Sequence, residues 1–362
     1  MFVAWRDLRF AKGRFALMGT VIVLITLLVG LLSGLTAGLG RQNVSAITGL
    51  PADRIAFRAP TGGQGLSYSE STVTARQWRQ WAGVPGVERA EPLGITTTRA
   101  TAGARSTAVS AFGVEPGSPL APDGGRIDDR SAVLSTTAAD DLGLAPGGSL
   151  TLAGHRLTVA AVRGDASFSH TPVIWTSLDT WRRTAPPTDA ADGATATVIA
   201  LRTTAGADLT ATDRRAGTRT VSVEDSLSAI GSYTSENGSL QLMRGFLFAI
   251  SALVIGAFFT VWTIQRSGDV AVLKALGAST ASLLGDALGQ AVVLLVGGTA
   301  AGTGIAAAVG ALVAGSDVPF LLSPGTVLLP AAVMVLLGSL GAGLSIRRIT
   351  SVDPLTALGS AR

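Results

Sequence analysis

The sequence predicts a membrane protein with four transmembrane α-helices in a 1+3 arrangement and a large α+β domain between the first helix and the other three. The run from Phe15 to Leu39 contains no charged residue, and three further apolar runs are crowded between Gly245 and Ile346. About 20 apolar residues cross the hydrocarbon core of a bilayer as a helix, and a single segment in lipid satisfies its backbone polar groups in no other way. The polar stretch between the two groups is long enough to build its own core.

The apolar runs and the charges between them divide the chain into segments. The predicted segments are an amphipathic helix at 1–14, a first transmembrane helix at 15–39, an outer domain at 40–238, a second transmembrane helix with an outer stalk at 239–265, a short helix at 266–284, a third transmembrane helix at 285–314, a loop at 315–325, a fourth transmembrane helix at 326–346 and a tail at 347–362.

The basic residues predict the orientation of these segments in the plasma membrane. They flank the spans at 6–14, 266–274 and 347–348, whereas the loop at 315–325 carries none. Cytoplasmic loops hold the excess of Arg and Lys, so we expect both termini and the 266–284 segment in the cytoplasm and the 40–238 domain outside. A cleaved signal peptide is the alternative for the first run, but its apolar stretch is longer than the 7–15 residues typical of one.

Composition excludes several functional classes. Charged residues make up only 14% of the chain, the mean hydropathy is +0.45, and the formal charge of +4 comes from span ends, so no nucleic-acid partner is expected. The absence of cysteine excludes disulfides and zinc–sulfur sites.

The sequence also lacks the patterns of a catalytic centre. It contains neither a GxxxxGK[ST] loop nor an HExxH pair, so we expect no enzyme activity, no catalytic residue and no resident metal or cofactor. His155 is expected in an exposed hairpin turn, and His170 has no partner at ligand spacing. The pairs Asp128–Asp129 and Asp140–Asp141 are interpreted as solvated surface residues.

Alternating patterns and turn residues predict the elements of the outer domain. We expect a strand at Arg54–Ala59, a helix at Thr74–Ala82, and a hairpin that closes at Ala153–Gly154. The loop at Glu115–Asp129, rich in Pro, Gly and Asp, is interpreted as an internal boundary. The segment Val223–Tyr233 is expected to be helical and to continue into the second transmembrane helix.

The first span carries Gly30, Gly34 and Gly38 at four-residue spacing. This pattern leaves one helix face without side chains and favours close helix packing in lipid. Glycine is common in membrane helices, so an incidental occurrence is the alternative.

The loop after the second span predicts a short amphipathic helix. Leu273 and Leu276 share an apolar face with Val270, and Gly277 can end the helix. Its polar face consists of Arg266, Asp269 and Lys274. Such a helix is suited to docking on another protein, and a linker on the membrane surface is the alternative.

Four blocks of the sequence resemble MacB/FtsX-type ABC transporter permeases. The blocks are WRDLRFAKGR, SAVLSTTAADDLGLAPGGSLTLAGHRLTVAAVRG, RSGDVAVLKALGAS and RRITSVDPLTALGSAR. They follow the family's order within the family's 1+3 layout and span nearly the whole chain. Asp269 stands where the family usually has Glu, which preserves the charge.

The resemblance implies a mechanotransmission exporter with a MacB-type outer domain. It implies a separate ATPase chain in two copies, which holds the ATP and Mg²⁺, and a homodimer of this permease surrounded by lipid. The 266–277 helix would then couple the permease to the ATPase. The third and fourth spans carry almost no charge, so we expect an amphipathic substrate taken from the outer leaflet and not a polar pore.

The stalk predicts the substrate site. Tyr233 and Glu236 share a helix face, Arg244 follows two turns later, and Glu70 lies in the outer domain beside Tyr68. A phenol and a carboxylate can bind ferric haem iron, and an Arg suits a propionate. Anchoring at the membrane interface is the alternative for Tyr233 and Arg244, and a capping or solvated position is the alternative for Glu236. The chain is most similar to the haem-exporting HrtB subgroup, so we expect haem as substrate, in a cleft where two copies meet through the first-span glycine face and the outer part of the second span.

Two alternatives stay open. The chain could export a peptide, lipid or antibiotic as MacB-type pumps do, with the same stalk acting only as a lever. It could also be an FtsX-like signalling scaffold that transports nothing.

Overall fold

The computed structural model describes residues 12–185, 194–265, 268, 272, 276–313 and 318–350. The chain divides into two compact units, one of residues 39–238 and the other of residues 1–38 with 239–362. Most of the predicted basic helix at 1–14, and the predicted tail from residue 351 onward, lie outside the described residues.

One long helix precedes the short elements of the 39–238 unit, and three long helices follow them. The helices are α1 Lys12–Thr48, α2 Ala75–Ala82, α3 Thr136–Leu142, α4 Leu178–Thr184, α5 Leu209–Ala216, α6 Val223–Ser226, α7 Gly231–Gln265, α8 Thr280–Val313 and α9 Pro324–Thr350. The strands are β1 Arg54–Arg58, β2 Val73–Thr74, β3 Val87–Ala102, β4 Arg105–Val114, β5 Ser131–Leu134, β6 Ser149–Leu152, β7 His155–Val162, β8 Ser167–Phe168, β9 Thr171–Ser177, β10 Ala194–Ala196, β11 Val198–Thr203 and β12 Thr218–Ser222.

The 39–238 unit is built on one mixed sheet that partly closes on itself. Its strand order is β12-β1-β11-β3-β4-β9-β5-β7-β6, with β4–β9 and β5–β7 parallel and the remaining pairs along this path antiparallel. The first half of β3 pairs with β11, while its second half pairs with β4 and also with β6 through Ala100 and Leu152. The β3–β6 pairing closes six strands into a ring, which removes an exposed sheet edge.

Two buried clusters stabilise this unit. One contains Phe57, Phe112, Phe168 and Trp175. The other contains Trp81 and the aliphatic face of α3. The α2 helix begins at a capping box, in which the Thr74 hydroxyl accepts from the Gln77 amide and the Gln77 side chain accepts from the Thr74 amide. The predicted α2 helix and the predicted hairpin, which closes between β6 and β7, are confirmed.

Three expectations for this unit are wrong. The Glu115–Asp129 loop is not a boundary, because its residues Leu120 and Ile127 are buried in the same cluster as Phe57. The segment before the second span is not one continuous helix: it is interrupted at Ile230, whose extended backbone (φ −88°, ψ 109°) buries its side chain in the core. His155 is a half-buried strand residue paired with Leu152.

The second unit contains the four predicted spans. Four helices are long and apolar enough to cross a membrane: Ala16–Thr48, Gly231–Gln265, Ala281–Val313 and Pro324–Ser345. With the β-rich unit between the first two, this confirms the predicted 1+3 fold. Side chains from all four helices form the buried core, and these include Met18, Ile22, Phe259, Leu295 and Met334.

The glycines of α1 lie where other parts of the same unit approach most closely. A Cβ at Gly30 would lie 2.9 Å from the Ala306 Cβ, and one at Gly38 would overlap the carbonyl group of Pro319. Gly34 faces the ring of Phe320. The expectation that two copies meet through this face does not fit the packing, because α8 and residues 319–320 already occupy it.

Candidate functional site

The stalk residues Tyr233 and Glu236 lie in the first turns of α7, and both side chains are partly buried. Tyr233 packs against the buried cluster that contains Phe57 and Phe112. The carboxylate of Glu236 extends toward two residues from other elements, His170 and Asn43. The first turns of α7 therefore place Tyr233 against the core and Glu236 in a polar environment.

Five polar residues from three elements form what we call the stalk cluster. They are Asn43 of α1, Ser169 and His170 of the turn between β8 and β9, and Ser232 and Glu236 of α7. Glu236 Oε2 lies 2.8 Å from His170 Nε2 and 3.4 Å from Asn43 Nδ2. Asn43 Nδ2 lies 3.2 Å from His170 Nε2. Three polar side chains thus converge on one point.

The backbone holds the His170 turn against the end of α1. The amide of Ser169 donates to the carbonyl of Asn43 (3.0 Å), and the amide of His170 donates to that of Gln42 (3.2 Å). Both turn residues have positive φ, +50° for Ser169 and +63° for His170. Left-handed backbone is uncommon outside glycine, and it persists where the surrounding structure enforces it.

Hydroxyl groups fix the amide of Asn43, which is only 1% exposed. Ser232 Oγ donates to Asn43 Oδ1 over 2.7 Å, and it lies 2.9 Å from Ser169 Oγ. Buried polar side chains are stable when such partners satisfy them. The His170 and Glu236 side chains are 28% and 43% exposed, so a ligand can reach them.

The other two predicted substrate residues, Glu70 and Arg244, are not members of the stalk cluster. Glu70 lines a polar cavity of about 270 Å³ together with Arg58, Gln64 and Ser67. Its neighbour Tyr68 is buried, and this burial raises the pKa of its phenol, which donates to Ser226 Oγ. Tyr68 is therefore unsuited to act as a phenolate ligand.

Arg244 lies further along α7, in the unit that contains the spans. Its Nε is buried and makes no hydrogen bond to any residue that the structure describes.

The predicted coupling segment is described only in part. Arg266, Asp269, Leu273 and Lys274 lie outside the described residues. The Leu276 side chain is 79% exposed, and its amide donates to the carbonyl of Val272. Gly277 has φ +96°, a conformation that an L-residue adopts only with strain.

The structure adds two residues that sequence reasoning missed. His170 is 66 residues from Glu236 and Asn43 is 193 residues from it, so no spacing rule connects them. The only local signal is a polar Ser-His pair between two short strands. The resulting site offers an imidazole, a carboxylate and an amide, which can bind a metal centre or hydrogen-bond a polar ligand.

Two family models match the chain. The MacB-like periplasmic core domain matches residues 15–219, and the FtsX-like permease C-terminal domain matches residues 242–354. The solved periplasmic region of MacB from Actinobacillus actinomycetemcomitans is 11% identical, covers 49% of this chain and 92% of its own, and has a TM-score of 0.34, which adds no weight to the assignment.

Relatives of similar length match from end to end. A protein of Staphylococcus haemolyticus named as the hemin transport system permease HrtB is 24% identical over 99% of both chains. A Staphylococcus epidermidis protein with the same name is 22% identical over the same shares. An ABC transporter permease of Mycobacterium bovis is 26% identical over 99% of both. With two family models that cover most of its length and four membrane-spanning helices, the chain belongs to the MacB/FtsX-type family of ABC transporter permeases.

Proposed function

We propose that this chain is the permease subunit of an ATP-driven pump that exports haem from the outer leaflet of the plasma membrane. The observation that carries the proposal is the end-to-end likeness to proteins named as hemin transport permeases. The chain has no nucleotide-binding motif of its own, so two copies would work with two copies of a separate ATPase.

The chemistry of the stalk supports haem as the substrate. Ferric haem combines an apolar macrocycle, an iron that accepts oxygen or nitrogen ligands, and two carboxylates. Glu236 and Tyr233 offer oxygen ligands, His170 adds a nitrogen ligand beside Glu236, and the unpartnered Nε of Arg244 suits a propionate. Exposed apolar residues of α7 such as Leu242 and Phe246 would contact the macrocycle.

The proposed mechanism passes force along α7. This helix runs without interruption for 35 residues, about 50 Å, from the stalk cluster to the beginning of the coupling segment. Closure of the ATPase dimer would push on the exposed Leu276 and move α7 as a rigid rod. The movement would narrow the space around the stalk residues and expel haem outward.

A haem-binding measurement tests the substrate. The purified permease is expected to show a Soret band on addition of hemin. Glu236→Ala should shift or abolish the band and sensitise cells to haem, because it removes the ligand and the partner of His170. Asp141→Ala is the matched control, since Asp141 is exposed and its carboxylate accepts a hydrogen bond from Thr107 Oγ1.

The outcomes distinguish haem export from its alternatives. If Tyr233, Glu236 and Glu70 can be replaced together without loss of haem binding or tolerance, the haem site is wrong. Export of another amphiphile is then the function that fits better. One observation favours it. A Pseudomonas fluorescens protein named for pyoverdine export is 29% identical over 40% of this chain. An ATPase-bound permease that exports nothing would favour the FtsX-like scaffold.

The proposed orientation, with both termini cytoplasmic, has a direct test. The chain has no cysteine, so Gly125→Cys introduces a single thiol at an exposed site where a Cβ meets no atom within 4 Å. A membrane-impermeant maleimide is expected to label this thiol on intact cells, because the 40–238 domain faces outward. Labelling only after the cells are opened would contradict the orientation.

A further inference from the structure

We propose that Asn43, His170 and Glu236 form a binding site for one divalent first-row metal ion such as Zn²⁺, Mn²⁺ or Co²⁺. This ion would be a different ligand from the haem that is proposed above as the substrate. Three donors from three elements lie 2.8, 3.2 and 3.4 Å from one another. No three His, Cys, Asp or Glu side chains come together as a metal site among the described residues, so an amide completes the set.

The triangle of donors has the size that a single ion requires. Nitrogen and oxygen ligands bind these metals at about 2.0–2.2 Å. Two adjacent ligands are then about 3.0 Å apart around an octahedral ion and about 3.4 Å apart around a tetrahedral one. The three observed distances lie close to this range, so an ion can bind on the open side of the triangle, with water at its remaining positions.

Asn43 can supply an oxygen without losing its other partner. In the present orientation its Oδ1 accepts from Ser232 Oγ. Oxygen and nitrogen of an amide have nearly the same shape, and their assignment follows from the hydrogen bonds. After reversal, Oδ1 points toward His170 and Glu236, and Nδ2 donates to Ser232 Oγ instead. Both orientations satisfy the buried amide.

The surrounding structure holds these donors in place. The positive-φ turn that carries His170 is hydrogen-bonded to α1 at two successive amides, and Asn43 is buried behind it. The Ser169 and Ser232 hydroxyls lie behind the amide. Such outer hydrogen bonds orient metal ligands and raise affinity. The 28% and 43% exposure of His170 and Glu236 leaves a path for an ion.

The three donors together suit a free ion, whereas the iron of haem would take only one of them. The porphyrin occupies four positions around its iron and leaves two on opposite faces. Three donors on one side cannot all bind such an iron, whereas they match three adjacent positions of an aqueous ion. A bound ion would occupy Glu236, so metal and haem are expected to compete for that carboxylate.

Metal binding by the full-length permease, purified with a tag that contains no histidine, tests the site. Calorimetry with Zn²⁺ and the visible spectrum of added Co²⁺ should both report one ion per chain. His170→Ala and Glu236→Gln should each weaken binding by about a hundredfold or more, because loss of even an outer-shell partner costs about tenfold to a hundredfold. His155→Ala is the matched control, because it removes the other histidine of the chain and should change nothing.

A fourth variant keeps the test valid if the others unfold. Asn43→Asp replaces the amide with a carboxylate beside Glu236, so it should lower the melting temperature without metal and give a larger rise with Zn²⁺ than the natural chain shows. Absence of binding by the natural chain, equal binding by His170→Ala, or no larger rise in Asn43→Asp would overturn the proposal. None of these measurements uses haem, so their failure leaves the Soret result untouched.

Discussion

Gly38→Ala is expected to lower sharply the amount of folded permease in the membrane. A Cβ at residue 38 would overlap the carbonyl carbon and oxygen of Pro319, and a backbone group cannot rotate away as a side chain can. Gly302→Ala should act in the same way, because its Cβ would lie 2.6 Å from the carbonyl oxygen of Val23. Overpacking of this kind lowers the free energy of unfolding by about 1–3 kcal/mol, and by more where the backbone must move. Size-exclusion profiles and melting temperatures of the detergent-extracted protein measure the effect.

Gly19→Ala is the matched control on the same helix. A Cβ at Gly19 meets no atom within 4 Å, so this variant should keep the normal amount of folded protein. Alanine is favoured over glycine inside a helix by about 1 kcal/mol, so a small rise in stability is expected. If Gly38→Ala and Gly19→Ala gave the same amount and the same melting temperature, the close contact between α1 and residues 319–320 would be wrong.

The fold was largely predictable because its strongest signals are local. Four charge-free runs predict four spans, and alternation with turn residues predicts elements such as the α2 helix and the β6–β7 hairpin. The glycine spacing in α1 predicts a close contact but not its partner, since Ala306 and Pro319 are far away in sequence. The break at Ile230 was missed because its cause is the burial of one side chain, which no helical period reveals.

The candidate site was predictable only along one helix. Tyr233 and Glu236 share a face of α7 by spacing alone, but the structure packs Tyr233 on the core and directs Glu236 toward His170. Glu70 lines a polar cavity, and its proximity to these two residues stays a prediction. The proximity of Asn43, His170 and Glu236 arises from tertiary folding, as the β8–β9 turn packs on the end of α1. Sequence spacing carries no information about that contact.

The exposed side chain of Leu276 makes the coupling proposal testable at a described residue. The Leu276 side chain is 79% exposed, so a partner protein can reach it. Gly277 follows directly, and its φ of +96° turns the chain at this point. If the ATPase covers Leu276, a charge there would be buried without a partner, at a cost of several kcal/mol.

Leu276→Asp is therefore expected to abolish export while the permease stays folded and its ATPase partner stays active. The measurement is haem efflux and ATP hydrolysis by the co-expressed complex in vesicles, with the permease level checked in the same membranes. Leu276→Met is the matched control: it keeps an apolar side chain of similar size, and efflux should be close to normal. The 39–238 unit contains none of the altered atoms, so its melting transition should be the same in both variants. Normal efflux by Leu276→Asp, at a normal permease level, would mean that this segment only links two spans and that force reaches α7 by another contact.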